Sequence, residues 1–244
     1  MSKNLSKSVL TLSLAVLLAL TIAIPAQAHS VNKSVKIAAG NTSGGESSVN
    51  GSISVGSGAV VTGNLSTVNG RIRIDSDATV EDVSTVNGGL RIDSGSSTEN
   101  LSTVNGEISV DENVMVDGEI EAVNGEIDID KGSKVSRDVS NVNGEIELRS
   151  STVDGDISTV SGDIDLIGEA VVKGDIIVEK PGGWGWGSKK SRVPEIVIGP
   201  GSRVHGDIHV ERVVKLYISE SAEVGGVTGE MSMSDAIRFS GERP

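Results

Sequence analysis

Cysteine is absent from the 244 residues, and aromatic side chains are nearly so: two Trp, one Tyr and one Phe. Without Cys there are no disulfides, thiolate metal sites, cysteine nucleophiles or lipidated N-terminal cysteine. Without aromatics a thick core cannot be filled, so a core of Val, Ile and Leu must be thin or layered. Positive charge is also scarce. The formal net charge is -13, and loss of Lys3 and Lys7 with a leader segment makes it -15. An acidic chain lacks the basic footprint that nucleic acid requires, so nucleic acid is not an expected partner.

The one long apolar run, Val9 to Ile24, follows Lys3 and Lys7 and precedes Pro25 and Ala26-Gln27-Ala28. That order reads as a signal peptide over residues 1–28, with the mature chain starting at His29. The expectation is an exported protein, periplasmic or at the surface of a bacterium, with peripheral membrane contact at most.

What the chain has in abundance is glycine, 31 residues of it, much of it in register. Val-Asn-Gly falls at 49–51, 68–70, 86–88, 104–106, 123–125 and 142–144, and Val160-Ser161-Gly162 continues the series. The steps are 19, 18, 18, 19, 19 and 18 residues. An aliphatic column follows at Ile53, Ile72, Leu90, Ile108, Ile127, Ile146 and Ile164, with a second two residues on, from Val55 and Ile74 to Leu148 and Leu166. Apolar residues separated by one polar residue are strand alternation, not helix periodicity. A short-strand unit repeated at this period predicts an all-β, single-stranded parallel β-helix of 18–19 residues per coil and about nine to ten coils. The expected solenoid covers residues 49–228. Residues 29–48 are read as an N-terminal cap or flexible segment, and residues 229–244 as a C-terminal tail or cap.

The stretches "VNGEI" and "VNGGL" resemble the bacterial VNGxI-repeat adhesin domains. "VVKGDIIV" (171–178) and "IVIGPGSRVHGDIHV" (196–210) are similar to the bactofilins, the polymer-forming cytoskeletal family. Together the resemblances cover most of residues 49–226. They imply a right-handed β-helix and, on the bactofilin side, end-to-end self-assembly through the solenoid ends without nucleotide. The export signal departs from the bactofilins, which are typically cytoplasmic.

Candidate functional residues are few. Asn50, Asn69, Asn87, Asn105, Asn124 and Asn143 form one column, expected to act as a structural ladder of stacked amides. In this reading the Val of each VNG enters the core and the Gly sits inward at a bend. Thr67, Thr85, Thr103 and Thr159 would present a flat surface of the kind ice binders carry, interrupted at Ala122 and Asn141. Glu107, Glu126, Glu145 and Asp163 form an outward acidic column beside Asp128, Glu147 and Asp165. The equivalent earlier positions hold Arg71, Arg73 and Arg91, so this face is basic toward its N-terminal end and acidic beyond. Stacked acids repel unless screened or bridged by a divalent ion, but no Gly-rich calcium repeat is present. His205, Asp207 and His209 share strand parity as a candidate metal set, although Gly206 bends the chain between them. No metal or cofactor is expected.

The periodicity breaks once. Thirteen residues are inserted within "EKPGGWGWGSKKSRVPE" (179–195), which holds both Trp residues and is net positive on an acidic protein. Trp beside basic side chains suits anionic polymers, sugars or headgroups. Trp184, Trp186, Lys189, Lys190 and Arg192 are therefore the candidate partner-binding residues, for an envelope polymer or protein. No nucleophile–base set is evident, and the apolar intervals differ from those of hexapeptide acyltransferases. The reading is a non-enzymatic structural or adhesive envelope protein. Its alternatives are a self-assembling bactofilin-like polymer and, third, a polysaccharide-active enzyme.

Overall fold

In the computed structural model, residues 31–181 and 192–244 are described; the leader and residues 182–191 lie outside them. The chain is a parallel β-solenoid of about ten turns. Each turn places a strand in an eleven-stranded sheet, here sheet 1, that runs from Val35–Ile37 through Ile53–Val55 and Ile72–Ile74 to Ile237–Phe239. The other two strand positions of each turn belong to a sixteen-stranded sheet, sheet 2, and long strands such as Val60–Thr67 and Arg203–Val210 span both. Every pairing between coils is parallel.

The register explains the repeat. Ile53 pairs with Ile72, Ile72 with Leu90 and Leu90 with Ile108, so each aliphatic stacks on its equivalent one coil away. These columns are fully buried and form one continuous core. A coil alone can enclose nothing; its neighbours supply both the apolar contact and the hydrogen bonds.

Three corners separate the strands. The first, between sheet 2 and sheet 1, carries VNG. The second lies within sheet 2, between its two strand positions. The third, after sheet 1, is a tight turn with one residue at positive φ, filled by Gly58, Asp77, Gly95, Asn113 and Gly132 in successive coils. Gly, Asn and Asp are the residues that tolerate this conformation.

The two ends differ from the middle. In the first coil Ser43 and Glu46 occupy the register of Val61 and Leu65, and a register shift separates Gly44 from Glu46. A charge at an inward position is a known way to blunt an exposed edge. At the other end, Met231, Met233 and Ala236 pack against the core around a short 3₁₀ helix, Met233–Asp235, before the last strand buries Phe239. Strands are thus present in both segments read as caps from the sequence. Among the described residues no helix is long and apolar enough to cross a membrane.

Candidate functional site

At the first corner the asparagine column forms an unbroken chain of amides. Asn69 Nδ2 donates to Asn50 Oδ1 at 2.9 Å, and the same bond links Asn87 to Asn69, Asn105 to Asn87, Asn124 to Asn105 and Asn143 to Asn124 at 2.9–3.1 Å. Asn50 extends it to Asn32 at 2.8 Å, a member that lies before the first VNG. The amides are exposed, and each is held by the next.

The threonines beside them point the other way from the expected surface. Thr67, Thr85, Thr103 and Thr159 are at most 1% exposed. Thr67 Oγ1 donates to the carbonyl of Gly51 at 2.9 Å, Thr85 to Gly70 and Thr103 to Gly88 at 3.1 Å. The Val of each VNG is correspondingly half-exposed rather than in the core, as at Val68, Val86 and Val104. The strand Leu101–Asn105 shows why: its alternation starts at buried Leu101, so Thr103 faces inward and Val104 outward. The glycine has a different function from the one expected. A Cβ on Gly106 would meet Gly88 O at 1.9 Å, and one on Gly125 would meet Gly106 O at 1.8 Å. Close approach of coil to coil therefore demands Gly; of the VNG glycines only Gly144 takes a positive φ, 129°.

The second corner works through carboxylates. Asp138 Oδ1 accepts the backbone N–H of Asp156, Asp156 that of Asp175, and Asp175 that of Asp207, each at 2.8 Å. Gly155 and Gly174 precede two of these acids because a Cβ there would lie 2.2 Å from the carboxylate one coil below. Burial raises the Asp156 carboxyl above its usual range, against the pull of the Asp175 N–H.

The outer face of sheet 1 carries the charged columns. Arg73 pairs with Asp75 at 2.8 Å and also with Asp93; Arg91 pairs with Asp93 at 2.9 Å and Asp111 at 3.6 Å. In the acidic half, Arg149 reaches Glu147 at 2.5 Å and Asp130 at 3.1 Å. Burial pushes the Asp128 carboxyl up to about 7, with Glu126 adding to the shift, and its Oδ1 is sealed from water without a hydrogen-bond partner. Two further cations of the chain sit on these columns. Arg192 pairs with Asp163, and Arg243 folds back from the C-terminus to reach Asp165 at 3.2 Å. Arg243 was not recognisable in the sequence, because one arginine in a short polar tail carries no periodic signal.

Of the insertion candidates, Arg192 is described; Trp184, Trp186, Lys189 and Lys190 lie outside the described residues. The insertion leaves where the VNG corner stands in other coils, between Ile176–Val178 and Glu195–Ile198. Its first foot is held by Glu211 and Glu230, which contact the N–H and Nζ of Lys180, both at 3.2 Å. Its second foot is held by Asp163, which takes Arg192 and also accepts the Glu195 N–H at 2.9 Å. Arg212 donates to the Arg192 carbonyl at 2.9 Å.

His205, Asp207 and His209 are not gathered. The strand shifts register between Val204 and Asp207, the Asp207 N–H is bonded to Asp175, and His209 Nδ1 lies 3.0 Å from Thr228 Oγ1. Among the described residues no group of three or more His, Asp or Glu side chains is arranged to hold a metal ion. Comparison with family models, with curated proteins and with solved structures finds no match to the chain.

Proposed function

We propose that the chain is an exported, non-enzymatic structural or adhesive β-solenoid of the bacterial envelope, presenting the 179–195 insertion to an envelope polymer or protein. The observation that carries this reading is the anchoring of the insertion. Both feet are tied to acidic side chains of other coils, by Lys180 to Glu211 one coil away and Glu230 two coils away, and by Arg192 to Asp163. A segment launched from a rigid scaffold is the usual arrangement for recognition, and Trp184 and Trp186 with Lys189 and Lys190 supply aromatic area and positive charge within it.

The resemblance to the VNGxI-repeat adhesin domains agrees with this assignment. The bactofilin resemblance, with its end-to-end assembly and right-handed coil, is the second reading. It would set Val35–Ile37 of one copy on Ile237–Phe239 of another, where a polar first coil meets the Met231 and Met233 cover. The non-enzymatic reading takes the raised carboxyls as products of burial: Asp128, Glu145 and Asp165 lie together on the outer face of sheet 1, and the others lie apart from them. Asp128 lies on the outer face of sheet 1, Glu121 in sheet 2 and Glu179 at the foot of the insertion, with Glu121 at about 7 and Glu179 at about 6 through burial.

The test is the double variant Trp184→Ala/Trp186→Ala. It should keep the β-sheet circular dichroism of the parent while losing retention in the envelope fraction and in pull-downs with envelope polymer. Unchanged retention would remove the basis of the assignment.

A further inference from the structure

The outward residues of sheet 1 show an inversion of charge between coils. In the strand Ile72–Ile74 and its flanks the outward positions read Arg71, Arg73, Asp75; in Glu145–Arg149 they read Glu145, Glu147, Arg149. All three signs are reversed. The two coils lie symmetrically about the strand Ile108–Val110, whose outward residue is Ser109.

From this geometry we infer that sheet 1 is a docking face for a second copy of the same chain, in an antiparallel two-fold dimer. A two-fold axis lying in the interface along the strand direction, through Ser109, reverses the order of coils and preserves strand direction. It sets Arg71 against Glu145, Arg73 against Glu147, Asp75 against Arg149 and Arg91 against Asp128 of the second copy, and each pairing occurs twice. Arg73 and Asp75 already hold each other, as do Arg149 and the buried Glu147, so those two pairings add complementary charge rather than new partners. Arg71 and Glu145 make no ion pair within their own chain among the described residues, so the partner supplies what they lack. The Arg71–Glu145 pairing therefore gains most; the sealed Asp128 Oδ1 lies out of a partner's reach.

The arrangement also has like charges to accommodate. Glu107 and Asp111 face their own equivalents across the axis, and Asp93 faces Asp130. Asp93, Asp111 and Asp130 each already hold an arginine of their own chain. Shifting the axis by half a coil would set Arg71 and Arg73 against Asp163 and Asp165, which Arg192 and Arg243 already occupy. The same shift would set Glu145 against Gly89, so the pairing of Arg71 with Glu145, two groups without an ion pair of their own, selects the register through Ser109.

Five coils at about 4.8 Å and five strand positions at about 3.3 Å make a patch of roughly 400 Å² per copy. That is at the weak, transient end of specific interfaces. Complementary charge then governs association, and salt should oppose it.

Sedimentation velocity on the purified protein at low ionic strength should show a dimer that dissociates at about 0.5 M salt. Arg71→Glu and Glu145→Arg, at residues without an ion pair in their own chain, should each weaken self-association about tenfold or more. An equimolar mixture of the two should restore the dimer, since every altered pair is again opposite in sign. As the chain has no cysteine, Ser109→Cys offers a second readout: a short bis-maleimide cross-linker, which spans the roughly 10 Å between packed sheets that a disulfide cannot, should link two copies through this residue alone. A protein that stays monomeric at low salt and high concentration, variants that dimerise as the parent does, a mixture that remains monomeric, or unlinked Ser109→Cys would each overturn the proposal.

Discussion

The first and second corners solve one problem, satisfying polar groups where strands end, with different chemistry. At the first corner exposed amides bond to one another, while buried threonine hydroxyls bond to glycine carbonyls below. At the second, a half-buried carboxylate accepts the backbone N–H of the coil above. The first corner is neutral and shape-limited, whereas the second is charged and sensitive to protonation. A solenoid can therefore be regular in backbone and still carry separate mechanical and titratable edges.

The contrast is most severely tested at glycine. Gly106→Ala forces a Cβ to 1.9 Å from a backbone carbonyl and should lower stability by about 3 kcal/mol or more, read by urea unfolding. Gly44→Ala, where a Cβ meets nothing within 4 Å, should be close to neutral. Equal effects of the two would show that coil spacing is not the constraint.

Next in size is the removal of one member from each ladder. Asp156→Ala leaves the Asp175 N–H without its acceptor and should lose about 1–3 kcal/mol, more than Asn105→Ala on the exposed ladder, at about 0.5–1 kcal/mol. Asp156→Asn retains an acceptor and removes the charge that burial disfavours, so it should match or exceed the parent at neutral pH.

The pH profile separates neutral from titratable regions. The carboxyls of Asp128 and Glu121 stand at about 7 in the fold against 3.8 and 4.5 as reference values. The folded state therefore holds protons that the unfolded chain releases. Their contribution is fully present below about pH 4, declines as pH rises, and is gone above about pH 7. With both groups partly solvated, the combined change should be about 1–2 kcal/mol, visible as a higher melting temperature at pH 5 than at pH 8. Asp128→Asn/Glu121→Gln should flatten that slope; an unchanged slope would assign it to other acids.

The smallest expected effect concerns buried hydroxyls. Thr103, at the first corner, has a carbonyl acceptor, but Thr98, just before the second, has none and occupies a column otherwise filled by Val80 and Val116. Thr98→Val should stabilise by about 1 kcal/mol, whereas Thr103→Val should destabilise.

The period, the aliphatic columns and the asparagine ladder were legible because stacking makes residue n resemble residue n+18 or n+19. The inward turn of Thr and the outward turn of Val follow the alternation along the strand from Leu101, which the Gly106 corner interrupts before Ile108. The signal was available, since Val83, Leu101, Ile120 and Val139 form an apolar column two residues before the Thr position. The carboxylate ladder could also have been found, in the Gly-Asp pairs at 155–156, 174–175 and 206–207. The fold-back of Arg243 could not, because a contact made once leaves no periodicity.

Because each coil touches its neighbours in sequence, growth of the structure is a matter of joining ends. Within sheet 1 most joins require a loop of 18 or 19 residues, but Ile164 to Ile196 requires 32. Closing that longer loop adds only about 0.5 kcal/mol of chain entropy. The insertion is thus thermodynamically cheap, and its main demand is kinetic: the chain must wait longest there for the next strand to arrive.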